Sequence, residues 1–82
     1  MSLFEKQSNL EHEIWSHWMQ YMFSKGTYAD DGSWVMPAWA VERWTRQINT
    51  SYFDLSEKEK ESDREQVYKH LKIIQEELNE II

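Results

Sequence analysis

Cysteine is absent, proline occurs once and glycine only twice in 82 residues. The missing thiols exclude a disulfide framework and a thiolate-ligated zinc site. With no Pro/Ser/Gly-rich linker, no internal repeat and no low-complexity segment, residues 1–82 read as one domain. Basic residues are also scarce: nine Lys and Arg stand against 15 Asp and Glu, for a formal charge of −6. That balance repels phosphate backbones and anionic bilayers, so neither a polymeric nucleic acid nor a membrane is an expected partner. A small anionic ligand at a local cluster of Arg and Lys remains compatible with it. No stretch approaches the roughly 20 apolar residues of a membrane span, and Met1-Ser2-Leu3-Phe4-Glu5-Lys6 lacks the basic-then-apolar pattern of a leader. The expected location is the cytoplasm.

What the chain does have is rings: five Trp, four Tyr and three Phe. Eighty-two residues lie near the lower limit for folding without disulfides or metal, and aromatic side chains, which bury much area each, are the means available. A subunit partner would add further burial.

Spacing and capping predict three main helices, an all-α bundle with a long C-terminal helix and an aromatic-rich loop between helices one and two. Ser8-Asn9-Leu10-Glu11 reads as a capping box that opens helix one, with Leu3 and Phe4 extending it or folding back onto it. Leu10, Ile14, Trp15, Trp18, Met19, Met22 and Phe23 then recur at helical intervals until Gly26 stops the helix near Lys25. Its apolar stripe is wide, which implies neighbours on more than one side. Residues 27–33 have a turn composition, and Trp34-Val35-Met36 is too short to support a sheet by itself, so a loop is expected to lay Tyr28 and Trp34 over the helices. Pro37 suits the first position of helix two, residues 37–48. Asn49-Thr50-Ser51 breaks it, and Tyr52-Phe53-Asp54-Leu55 is a connector whose rings are expected to plug the base of the core.

Helix three starts at a second capping box, Ser56 with Glu59. From there Val67, Leu71, Ile74, Leu78 and Ile81 recur in alternating steps of four and three, a narrow seam of the coiled-coil kind. Projected backwards, the same face reaches Arg64 and Lys60. Glu76, Glu77 and Glu80 follow with no basic residue after Lys72. Negative charge at a helix C-terminus opposes the macrodipole, so this end should fray unless its apolar residues find a partner surface.

His12-Glu13-Ile14-Trp15, together with Tyr52-Phe53-Asp54-Leu55-Ser56-Glu57-Lys58-Glu59-Lys60-Glu61-Ser62-Asp63-Arg64, resembles the two signature segments of the ryanodine-receptor-type (RyR) repeat domain. Gly26-Thr27-Tyr28 with Asp30 and Asp31 is similar to a loop of that family. The likeness spans about residues 10–74 and departs in the middle, where the family has an extended Pro-Cys-Leu-type stretch and this chain has a helix. The chain therefore looks like a divergent, free-standing version of the type found in bacteria and their viruses. The resemblance implies a small, mainly helical, non-pore module, with recognition of nucleotide-derived small molecules as one activity. It also implies that the two signature segments lie against each other.

Three groups of side chains carry the functional expectations. His12 and His17 brush against a zinc-protease pattern but are five apart, about 140° around a helix, and cannot share a metal. His12 is expected to be hydrogen-bonded within the fold and His17 solvated. Glu11, His12, Glu13, Asp63 and Arg64 form an expected ion-pair network in which a helix-one carboxylate meets Arg64, fixing the packing of two helices or orienting a pocket. Trp15, Tyr28, Trp39, Trp44 and Tyr52, with Arg43, Arg46, Lys60 and Arg64, are the candidate ligand-binding residues. Rings would stack on a base while the basic groups hold phosphate.

Helix three, about 37 Å long at 1.5 Å per residue, is longer than a core of this size covers. Leu71, Ile74, Leu78 and Ile81 are thus a candidate oligomer seam, and a homo-oligomer, first of all a dimer, is expected. No phosphate loop or framed nucleophile occurs, so neither catalysis nor a cofactor is expected. Two functions compete: a non-catalytic module that captures a small anionic, nucleotide-type ligand, and a protein-interaction or oligomerisation module using the seam and the exposed tryptophans.

Overall fold

The computed structural model describes residues 2–81; Met1 and Ile82, the ends of the predicted single domain, lie outside the described residues. The chain is mostly helical, with α1 over Leu3–Lys25, α2 over Ala38–Ile48 and α3 over Glu57–Ile81. A two-stranded antiparallel pair joins β1, Thr27–Tyr28, to β2, Trp34–Val35, and a single 3-10 turn spans Tyr52–Asp54. No described helix is long and apolar enough to cross a membrane. The chain divides into two compact units, one of Met1–Ser16 with Ser56–Ile82, the other of His17–Leu55.

In the first unit α1 begins earlier than the Ser8 box predicts. Ser2 is the residue that caps it, its Oγ accepting from the Glu5 amide at 3.1 Å. Ser8 instead sits inside the helix, where its hydroxyl donates to the Phe4 carbonyl one turn back. Serine binds backbone groups on either side of a helix start, so two candidate caps six residues apart compete, and the one that lets Leu3 join the helix wins.

The Ser56 box forms as expected. Glu59 N–H donates to Ser56 Oγ at 3.2 Å and Ser56 N–H donates to Glu59 Oε1 at 3.2 Å, so two otherwise open donors are satisfied reciprocally. Ser56→Ala removes one of these bonds and should cost about 1 kcal/mol, seen as a lower midpoint in urea unfolding with an unchanged slope.

α1 and α3 run antiparallel within this unit. Lys6 Nζ lies 3.2 Å from Glu77 Oε2 and 3.9 Å from Glu80 Oε1, while Gln7 Nε2 donates to the His70 carbonyl at 3.3 Å. Leu10, one turn along α1 from Lys6, is buried. Glu77 holds the Lys6 ammonium above its ordinary range, chiefly through that hydrogen bond.

In the second unit, α1 stops at Lys25 and Gly26 follows, as predicted. Asp30, Asp31 and Gly32 then turn the chain, Gly32 at φ 88°, which only glycine adopts freely. Asp31 Oδ1 accepts from the Ser33 amide at 2.9 Å, and the Ser33 hydroxyl first, then this amide, pull its carboxyl below the ordinary value. The turn brings Thr27 opposite Val35 and Tyr28 opposite Trp34, so the stretch predicted as a plain loop is a minimal hairpin. Its two-residue strands hold because Trp34 is anchored elsewhere: Nε1 donates to the Phe23 carbonyl at 3.2 Å, and its ring meets Phe23 edge-on at 5.9 Å. Tyr28, expected to lie over the helices, is exposed. Phe53, expected to plug the core, is 82% exposed, its neighbour Tyr52 lying edge-on to it. Pro37 stands one position earlier than predicted, as the extended residue before α2, with its carbonyl accepting from the Ala40 and Val41 amides.

Candidate interaction surface

The decisive geometry lies on α3. Gln66, His70, Ile73 and Glu77 are its half-buried positions over this stretch, spaced four, three and four apart. Each is followed immediately by a residue of the apolar seam: Val67, Leu71, Ile74 and Leu78. One residue is 100° of helix rotation, so the face α3 packs within its own unit is a mixed polar stripe and the seam points about a quarter-turn away. Exposures of 53% at Val67, 53% at Leu71, 38% at Ile74, 55% at Leu78 and 76% at Ile81 follow from that rotation.

A histidine that the sequence reading passed over holds the packed stripe in place. His70 Nδ1 lies against Gln7 Oε1 and Nε2 lies 2.7 Å from Glu11 Oε1. Both partners are acceptors, and the ring donates to both at once only when each nitrogen carries a proton. The signal available was positional: His70 immediately precedes a seam residue and so flanks the seam, a place where coiled-coil helices carry polar contacts.

The predicted network is rearranged. Arg64 Nη1 lies 3.3 Å from both Glu57 Oε2 and Glu61 Oε2 of its own helix, whereas Glu11 takes His70 and Glu13 accepts from Asn9 at 3.2 Å. Neither helix-one carboxylate meets Arg64. The antiparallel crossing sets Glu11 level with His70, six residues and about 9 Å of helix rise away from Arg64. Arg64, and Lys60 at 3.6 Å, hold Glu57 below its ordinary carboxylate range, Arg64 contributing most. His12 is exposed and stacks on Trp15, ring centroids 6.0 Å apart and planes at 16°, in place of the expected hydrogen bond. Asp63 is exposed.

Of the candidate ligand-binding residues, Trp15, Lys60 and Arg64 belong to the first unit, and Tyr28, Trp39, Arg43, Trp44, Arg46 and Tyr52 to the second. Within the second unit Trp39 and Trp44 meet edge-on at 6.3 Å, and the Arg43 guanidinium lies 5.3 Å from the Trp39 ring centre. A groove of about 300 Å³ opens between α1 and α2, lined by Trp18, Met19, Tyr21, Met22, Trp44 and Gln47. Trp44 is its one lining residue drawn from the predicted set, and no Arg or Lys is among them. Apart from the Gln47 amide and the ring N–H and O–H groups, that wall is apolar, suited to an uncharged occupant.

Comparison with family models, with curated proteins and with solved structures gives no match.

Proposed function

We propose that the chain is a protein-interaction module that presents the seam of α3 to another helical polypeptide. The observation that supports this is the quarter-turn between the packed stripe and the seam. Five aliphatic side chains at heptad spacing stay open while the polar stripe beside them is half-buried. Helix-to-helix docking reads such a row through anchors three and four residues apart. Kinship with the ryanodine-receptor-type repeat stays part of the proposal, carried by the two signature segments.

A small-ligand reading has one observation in its favour, the guanidinium of Arg43 poised over a Trp39 ring that is 44% exposed. A nucleotide-type ligand would use that ring for its base and the charge for its phosphate.

Lysine-directed cross-linking in cells that express the chain separates the two. Lys69 and Lys72 lie level with the seam on α3, on the side of the helix away from it, and an amine cross-linker long enough to reach around the helix should join them to another polypeptide chain, a copy or a different protein. Leu71→Glu with Leu78→Glu should abolish the product without loss of helix signal in circular dichroism. Absence of any such product, together with a thermal shift above about 10 °C on adding nucleotides or cyclic dinucleotides, would transfer the assignment to the small-ligand reading. A ligand at a hundred times its Kd adds about 2.7 kcal/mol, and a domain of this size shifts about 4–8 °C per kcal/mol.

A further inference from the structure

We infer that the polypeptide docked on the seam is a second copy of this chain, laid antiparallel so that Val67 of one copy is level with Leu78 of the other and Leu71 with Ile74. The inference rests on the protein-interaction reading above and names its partner.

The arrangement of aliphatics argues first. In heptad terms Leu71 and Leu78 occupy a positions, and Val67, Ile74 and Ile81 occupy d positions. Parallel two-stranded coiled coils favour the reverse, with β-branched residues at a and Leu at d. Turning one helix end for end places each a position level with a d position. Each layer between Val67 and Leu78 then sets a leucine against a β-branched side chain, and the like pairs that a parallel dimer would stack do not occur there.

Charge argues independently in the same direction. The last basic residue of α3 is Lys72, whereas Glu76, Glu77 and Glu80 lie in its final turns, and no cation stands in its last turn. Lys6 of the same chain answers Glu77 and Glu80, which leaves the end still acidic, with the negative pole of the helix added to it. Parallel alignment would set two such ends side by side and would also face Arg64 with Arg64 and Lys60 with Lys60 along the extended seam. In the antiparallel register the two acidic ends lie apart, and Ile81 is level with Arg64 of the other copy, a cation that also holds Glu57 and Glu61 of its own helix.

The area is sufficient as well. The seam from Val67 to Ile81 runs about 21 Å along the helix. Covering it on both copies, with Tyr68 at its edge, removes on the order of 1,000 Å² in total, the lower bound for a specific interface. A weak, reversible dimer is the expected strength.

The absence of native cysteine makes the register directly readable. Chains carrying Val67→Cys or Leu78→Cys, distinguished by a small tag, are mixed at about 100 μM in a thiol–disulfide buffer, with helix content checked by circular dichroism. The mixed disulfide, Val67→Cys to Leu78→Cys, should form at least about tenfold over either self-pairing. Like positions in this register lie about 16 Å apart along the helix, beyond the Cα separation a disulfide spans. The unsubstituted chain should sediment at twice its 10.0 kDa at that concentration and at the single-chain mass after Leu78→Glu. A dominant Val67→Cys self-pairing would overturn the antiparallel arrangement and leave the interaction reading standing. A single-chain mass at 100 μM beside a persistent lysine cross-link to a different protein would overturn self-pairing alone. A single-chain mass with no cross-link at all would overturn both.

Discussion

Leu10→Ala should lower the thermal midpoint by more than about 10 °C, the larger of the stability effects expected here. Leu10 is 7% exposed and, with Ala40 at 0%, is one of two buried apolar residues among those described. Truncating a buried leucine forfeits its transfer free energy and leaves a cavity, typically about 2–5 kcal/mol. In a small domain such a loss approaches the whole stability margin. Leu78→Ala removes the same atoms from a side chain that is 55% exposed, and for the single chain should cost less than about 0.5 kcal/mol. The contrast is the informative part. Thermal melts of both variants at low micromolar concentration should separate them clearly, and equal midpoints would mean that Leu10 does not carry the packing between α1 and α3. Raising the concentration should open a gap for Leu78→Ala as well, since a partner bound only to the folded state adds stability by mass action.

The three helices were legible in the sequence because each is signalled locally, although the hairpin read as a loop and α1 is capped by Ser2, ahead of the Ser8 box. Ser56 and Glu59 announce a helix start three residues apart, and Gly26 ends α1. The seam of α3 repeats often enough to be unmistakable. What could not be read is which way each helix is rotated. A step of three and four fits two rows of α3 equally well, Val67-Leu71-Ile74-Leu78 and Gln66-His70-Ile73-Glu77. Hydrophobicity alone assigns the inner place to the first. The inner row is the second, because α1 offers Lys6, Gln7 and Glu11 alongside Leu10, and these pair with His70 and Glu77. The expected contact between a helix-one carboxylate and Arg64 fails for an axial reason, since pairing with His70 sets Glu11 six residues along α3 from Arg64. Residues 56–64 largely start a helix and charge its first turns, so they speak to where α3 begins more than to which side chains converge. The groove lined by Trp18, Met22 and Trp44 escaped for a related reason. Aromatics at helical spacing look alike whether they fill a core or line an opening, and only tertiary placement distinguishes the two.

Gly26→Ala should cost about 2–3 kcal/mol in the second unit, more than a single methyl group ordinarily could. A Cβ at this position would overlap both the Trp34 ring and the Val35 carbonyl. A flexible side chain could swing aside, but a backbone oxygen in a two-residue strand cannot move without breaking the pairing of Thr27 with Val35. Overpacking of a tight site commonly costs 1–3 kcal/mol, and here the displaced ring would also lose its bond to the Phe23 carbonyl and its edge-on contact with Phe23. The change should therefore appear as a red shift and loss of near-ultraviolet signal from Trp34, with faster amide exchange across Thr27–Tyr28 and Trp34–Val35. Far-ultraviolet helix signal should scarcely alter, because α1 ends before this residue. Exchange unchanged across both strands would show that the hairpin accommodates the methyl group and that the close approach of Trp34 to Gly26 is not what holds β1 to β2.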